Sequence, residues 1–259
     1  MDLNKLEGGL RMNAVHQKNP LVTVITVVFN GEASIERTIK SVAEQKTPEI
    51  EYIIVDGASR DNTVKIIRQY EQVVDYWISE KDKGIYNAMN KGATYASGKY
   101  ITFLNADDTM KMNYLQTFTS LIQDKDYFSC GVKMIYNNKT INWVPFNIIP
   151  AHNTFFWRMP LPHPGLMVKK TVFDELGGFN EKYRYAADYD FILRLVKKYN
   201  GIFSDKVMID FYMGGASSNK AILLENNSIR KNNHSNKLLV SLAHQIELFK
   251  WKIAKIRYR

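Results

Sequence analysis

Apolar runs of strand length alternate with stretches of helical period through the first half of the chain. Leu21 to Phe29 (LVTVITVVF) is a β-branched run that predicts a buried strand ending at Asn30-Gly31, and Ile35, Ile39 and Val42 follow at helical spacing. Glu51 to Val55 predicts a second strand, which runs into turn formers and capping residues from Asp56 to Thr63 before a helix carrying Val64, Ile67 and Tyr70. Tyr76 to Ser79 predicts a third strand. After Glu80 to Gly84 comes a helix from Ile85 to Ala96, whose Ala88, Gly92 and Ala96 leave room for close packing. Tyr100, Ile101, Phe103 and Leu104 read as a fourth buried strand, stopping at Asn105-Ala106-Asp107-Asp108 ahead of a helix at Tyr114 to Ile122. This alternation predicts a parallel sheet with helices on both faces and the loops after successive strands gathered along one edge. Asp56, Asp82 and Asp107 would then border one crevice.

Past Tyr127 the pattern shortens, with strands at Tyr127 to Tyr136 and Thr140 to Pro145, a Pro-rich loop from Met159 to Gly165, and a strand at Leu166 to Val168. Asp188 and Asp190 lie at the start of a helix with Phe191, Ile192, Leu195, Val196 and Tyr199 on one face, and Met208 to Met213 predicts a last strand. The polar, Asn-rich stretch Glu225 to Asn236 reads as a linker and domain boundary. Beyond it, Leu239, Leu242, Ile246, Phe249, Ile253 and Ile256 step by three and four along an amphipathic helix. The expected domains are therefore a leader at 1–20, either unstructured or part of the domain, an α/β domain at 21–218 and a basic amphipathic helical tail at 219–259.

Composition sharpens this picture in two places. A single cysteine, Cys130, excludes an internal disulfide framework and reads as a core residue. The net charge of +9 is concentrated at the end: residues 219 to 259 hold nine Lys or Arg against Glu225 and Glu247. Such a basic amphipathic helix suits packing on its own domain, a second copy of the chain, or an anionic membrane surface where Trp251 and Tyr258 would sit at the interface. The nearly neutral body has no basic stripe and no nucleic-acid motif, which argues against nucleic acid as a partner.

Acids just past a strand's carboxyl end lie where open α/β sheets bind ligands. Oxygen ligands favour Mg2+ or Mn2+ over Zn2+, and such a metal completes its shell with waters and substrate phosphates. Asp107 thus points to a phosphorylated substrate, the competing role for Asp107 and Asp108 being to cap the following helix.

The segments Val22 to Asn30, DGASRDNT (Asp56 to Thr63), ISEKDKGIYNAMNKG (Ile78 to Gly92), SGKYITFLNADD (Ser97 to Asp108), GGFNEKYRYAADYDFILRL (Gly177 to Leu195) and GGAS (Gly214 to Ser217) together resemble the family 2 glycosyltransferases, most closely bacterial enzymes that build surface polysaccharides. The resemblance covers about residues 20 to 218. It implies a GT-A fold, a Rossmann-like α/β domain with a mostly parallel central sheet, to which the C-terminal helices are an appendage. It also implies a nucleotide-sugar donor, usually a UDP-sugar, with Mn2+ or Mg2+ on the diphosphate.

By the resemblance Asp56 reads the base, where a carboxylate would accept the uracil N3 hydrogen. Asp82 is a further nucleotide-side position, and Phe29, Asn30, Ser59, Asn90, Asn105 and Ala106 join the donor site. Asp107 matches the metal-binding acid of the family's DxD motif, whose first position is here the uncharged Asn105. Asp188 matches the catalytic base of an inverting displacement. Asp190 competes with it, but residues two apart on a helix point roughly 200° apart, so only one of them faces the site. The residue before the base, often Glu in this family, is Ala187. His163 belongs to a loop near the acceptor and diphosphate, and Trp143 and Trp157 are either an apolar floor for a sugar ring or core.

The function these features imply is transfer of a hexose or N-acetylhexosamine from a UDP-sugar to a glycan or lipid-linked glycan hydroxyl in cell-surface polysaccharide synthesis, at the inner face of the cell membrane. Two rivals stand beside it. A sugar nucleotidyltransferase relies on a Gly-rich, Lys- or Arg-bearing first loop, which Phe29-Asn30-Gly31-Glu32 lacks. A catalytically inactive nucleotide-binding scaffold is compatible with Asn105 and Ala187.

Overall fold

The computed structural model describes residues 5–12, 19–137, 139–145, 159–214, 221–234 and 236–257, with side chains through Trp251. Strands β2 (Val22–Val28), β3 (Ile50–Asp56), β4 (Tyr76–Ser79) and β5 (Tyr100–Phe103) form a parallel block in the order β4-β3-β2-β5. All their residues are buried, as β-branched runs covered on both faces require. Successive side chains take opposite faces. Val24, Tyr52 and Ile54 enter one core with Ile35, Ile39 and Val42 of α1 (Ile35–Ala43) and Ile67 of α2 (Thr63–Gln69). Ile25, Ile53 and Val55 enter the other with Ala88, Met89 and Ala93 of α3 (Ile85–Tyr95). Gly92 makes that packing possible, since a Cβ there would lie 2.5 Å from the Ile25 Cγ2.

The second half departs from simple winding. Strand β9 (Leu166–Lys169) lies antiparallel between β5 and β7 (Tyr127–Tyr136), and β8 (Lys139–Trp143) folds back on β7. The last strand, β10, spans Gly201–Tyr212 rather than starting at Met208, because it pairs in parallel along nearly all of β7. A two-residue strand, β6 (Thr109–Met110), closes the far edge antiparallel to β10. Helix α4 (Tyr114–Leu121) follows with Asn113 at its N-cap, so neither Asp107 nor Asp108 caps it.

Two segments read as a leader and a linker carry regular structure. Within the supposed leader, β1 (Leu6–Gly8) pairs antiparallel with β4, the Tyr76 hydroxyl donates to Glu7, and the Arg11 guanidinium is tied to buried Glu51 and the Tyr95 carbonyl. The partner edge is about seventy residues away in sequence, which is why no local signal marks it; residues 1–4 and 13–18 lie outside the described residues.

The supposed linker is helix α7 (Ala221–Asn233). Ile229 is fully buried in the core, and Asn226 and Asn233, three and four residues from it on the same side of the helix, are hydrogen-bonded to Glu247 and Lys197. The Glu225 carboxylate accepts the backbone N–H groups of Arg184, Tyr185 and Ala186 at 2.8–2.9 Å, immediately before α6 (Ala187–Lys198). Helix α8 (Lys237–Arg257) packs on α7 through Arg230 and Glu247. Glu225→Ala is expected to cost about 1.5–3 kcal/mol, because charge-assisted bonds are lost and three donors are left to water. A denaturant titration measures this, and Glu225→Gln should recover only part of the loss.

Candidate functional site

The chain winds from β2 outward through β3 and β4, then returns to the other side of β2 for β5, so the strand order reverses between β2 and β5. A crevice opens at the carboxyl ends of those two strands, the place such a reversal creates. It holds a cavity of about 690 Å³ bordered by Val27 to Gly31 after β2, Asp82 after β4, Asn105 to Asp107 after β5, His163, and Asp188 of α6.

Local bonding fixes each wall. Arg37 of α1 donates to the Asp107 carbonyl at 2.8 Å, and the Thr38 hydroxyl donates to the Asp108 carbonyl at 2.8 Å. Asp108 itself is fully buried, accepting from the Tyr212 backbone N–H at 2.9 Å and from the Asn105 amide at 3.3 Å. Burial and the neighbouring Asp107 charge push its carboxyl well above the ordinary range. Asp108 is therefore a brace, and Asp107 is the acid left half-buried at the cavity wall, its own carboxyl pushed up by burial. The Asn105 Oδ1 is buried without a hydrogen-bond partner.

Asp188 is half-buried at the start of α6, where its Oδ1 accepts the Tyr86 hydroxyl and the Tyr189 backbone N–H, both at 2.9 Å. Asp190 turns away to pair with Arg194 at 2.8 Å and is absent from the cavity wall. The two acids thus project from opposite sides of the helix, as their spacing of two residues predicts. His163 is buried in a short turn between prolines, stacked on Phe103 with ring centroids 5.9 Å apart. Burial lowers its imidazole pKa, partly opposed by the charge of Asp188.

Three expected donor-site residues do not line the cavity. Asp56 is fully buried, with its carboxylate accepting from the Ser59 N–H and hydroxyl and from the Ser79 hydroxyl at 2.6 Å. Ser59 also accepts the Asn30 N–H at 2.7 Å, so this pair ties the loop after β3 to the loop after β2. Asn90 spends its amide on the Phe179 N–H and carbonyl and on Glu181. That clamp holds a turn in which Gly178 has φ +65°, and where a Cβ would meet the Asn90 Oδ1 at 2.7 Å. In these three, a conformational task consumes the polar groups a ligand would need.

Other cavity residues were not anticipated. Tyr86 orients Asp188, Arg184 and Tyr185 follow the Glu225-capped loop, and Ile222, Asn226 and Glu247 bring α7 and α8 into the wall. The GIYNAMNKG segment carried a signal for Tyr86, whereas Asn226 falls in the stretch read as a linker and Ile222 and Glu247 in the segment read as a tail outside the site. Trp143 is also a lining residue; Trp157 lies outside the described residues. Cys130 is buried, its thiol pushed up to about 12 by burial, and stays inert.

Among the described residues no three His, Cys, Asp or Glu side chains enclose a metal position, and no helix is long and apolar enough to cross a membrane. A cation shared with a bound diphosphate needs only one or two protein carboxylates. Asp107, partly stripped of water beside an open cavity, fits that demand.

The sequence profile described as Glycosyl transferase family 2 matches residues 23–180. An uncharacterised glycosyltransferase of Mycobacterium tuberculosis is 27% identical over 208 residues, covering 78% of each chain. The putative teichuronic acid biosynthesis glycosyltransferase TuaG of Bacillus subtilis is 40% identical over 100 residues, covering 38% of this chain and 40% of that one. Among solved structures, S. aureus TarS 1–349 in complex with UDP-GlcNAc superposes with a TM-score of 0.67 at 17% identity, over 88% of this chain and 70% of that one. The mannosyltransferase PcManGT from Pyrobaculum calidifontis, in complex with GDP-Man and Mn2+, gives 0.57 at 17% identity, over 90% and 65%. These likenesses establish the GT-A fold.

Proposed function

The chain belongs to glycosyl transferase family 2, and from that premise we propose an inverting transfer of a hexose or N-acetylhexosamine from a UDP-sugar to a hydroxyl of a glycan or lipid-linked glycan. The observation that carries the reading is that Asn105 and Asp107, from the end of β5, and Asp188, from α6, border one cavity at the strand-order reversal. Donor and acceptor groups therefore share one space.

The donor half would occupy the crevice beside Phe29, Asn30 and Asp82, with Asn105 Oδ1 offering an acceptor to a sugar or ribose hydroxyl. Asp56 supports the base-binding loop from beneath; its Oδ1 accepts only the Ser59 hydroxyl, and because Asp56 is fully buried a direct contact with uracil would require the loop around Ser59 to shift. Asp107 would hold Mn2+ or Mg2+, and that ion supplies electrostatic stabilisation of the departing diphosphate.

Asp188 removes the acceptor hydroxyl's proton as the new oxygen–anomeric carbon bond forms and the bond to the diphosphate oxygen breaks, its electron pair leaving with UDP. Attack on the face opposite the leaving group inverts the anomeric centre. Tyr86 keeps Oδ1 of the base in place, leaving Oδ2 to face the proton. His163, kept from protonating by burial, would offer a neutral ring nitrogen to the diphosphate or acceptor.

UDP release from a panel of UDP-hexoses and UDP-N-acetylhexosamines, with Mn2+ or chelator, tests the donor side. Release from one donor is expected with metal, with a loss of about a hundredfold or more in chelator and in Asp107→Ala. Failure of both release and calorimetric UDP binding in the presence of Mn2+ would overturn the UDP-sugar reading. UDP binding without turnover, even with acceptor supplied, would favour the inactive scaffold.

A further inference from the structure

Helix α8 is held to the protein by its narrow small-residue face. Val240 and Ala243 are buried at 2% and 3% exposure, and Glu247 reaches inward to Arg230 and Asn226. The stripe of larger apolar residues is left over: Leu238, Leu242 and Phe249 are 84%, 58% and 65% exposed. At 100° per residue these three fall within a 40° arc, on the side roughly opposite Val240 and Glu247. Of the apolar stripe anticipated from the sequence, Leu239, Leu242 and Phe249 are exposed at 40%, 58% and 65% and Ile246 is half-buried, so most of its described length is not what joins α8 to its own domain.

We propose that this face docks on an anionic lipid bilayer. Charge selects that occupant. Both acids beyond residue 219 point inward, Glu225 onto the loop before α6 and Glu247 onto Arg230, whereas Lys231, Lys237 and Lys250 are exposed and Lys252, Lys255, Arg257 and Arg259 follow in sequence. A two-fold contact between copies of this face would set like charges against each other. An anionic surface neutralises them while the apolar arc enters the headgroup boundary.

Glu247, on the opposite side of the same helix, lines the cavity wall, so docking would hold the cavity one helix diameter (~10 Å) from the bilayer surface. Taken with the proposed transfer, this favours an acceptor carried on lipid, at the inner face of the cell membrane.

The experiment is co-sedimentation of the full chain with vesicles of phosphatidylcholine alone and of phosphatidylcholine mixed with phosphatidylglycerol, at low and high salt, with light scattering on the free protein. Binding is expected only to the anionic vesicles, weakened by salt, and at least about tenfold weaker in Leu242→Glu/Phe249→Glu. Both positions are exposed, and an unchanged melting temperature confirms that the variant is folded. Equal recovery with neutral vesicles, or without vesicles, overturns the proposal. So does a dimer of the free protein that the double variant dissociates, which would give the face to a second copy. Because no donor or acceptor enters this assay, vesicle binding without sugar transfer would overturn the transferase reading alone.

Discussion

Asp188→Asn is expected to leave donor binding intact and to slow transfer by about a thousandfold, within the range that general-base catalysis supplies. The substitution conserves shape, and the Asn carbonyl can still accept the Tyr86 hydroxyl and the Tyr189 N–H that now hold the carboxylate. The amide cannot accept the acceptor's proton. The loss therefore falls on kcat, with calorimetric UDP affinity and melting temperature close to wild type. Asp190→Asn is the matched control: it weakens the pair with Arg194 and lowers stability modestly, yet retains turnover. Single-turnover transfer of labelled sugar separates the two. Wild-type activity in Asp188→Asn, or a larger kcat loss in Asp190→Asn, would remove Asp188 from the catalytic role.

Arg230→Ala is expected to destabilise the protein by about 3–5 kcal/mol, the cost of breaking a buried ion pair from one side. Arg230 is fully buried, and its partner Glu247 has only 19% of its side chain exposed. Removing the guanidinium leaves that carboxylate without its cation and opens a void between α7 and α8. The consequence reaches the core, since Ile229 on the preceding residue packs among the side chains beneath α6. A single unfolding transition shifted to lower denaturant is the expected record. Arg230→Met/Glu247→Leu should recover much of the loss, because apolar groups of similar volume need no counter-charge. An unshifted main transition would instead mean that residues beyond 219 form an independent appendage.

Local physics made much of this molecule readable in advance. Buried β-branched runs and helical spacing of Ile35, Ile39 and Val42 depend on neighbours in the chain, so β2 to β5 and α1 to α4 fall within a residue or two of expectation. Asp107 and Asp188 were singled out by ordered motifs; both border the cavity, and helix geometry accounts for Asp190 facing away.

The misreadings share another cause. Glu225 to Asn236 is polar by composition, but a helix needs only one inward stripe, here Ile222 and Ile229, and its polar groups were committed to distant partners at 184–186 and 247. Leu6–Gly8 became a strand because the edge of β4 was free to pair. The internal hydrogen bonds of Asp56, Ser59 and Asn90, motif residues of the expected donor site, to Ser79, Asn30 and the Phe179–Glu181 turn were likewise invisible in the sequence.

The sequence by itself determined the strands and helices of the parallel block and the family, both of which rest on short-range periodicity or on ordered motifs. Only the tertiary structure decided which polar groups remain open to a ligand, which braces are already occupied, and which face of α8 is left uncovered. Those outcomes depend on how contacts between distant residues share out a limited set of donors, acceptors and apolar surface, and no local pattern records that division.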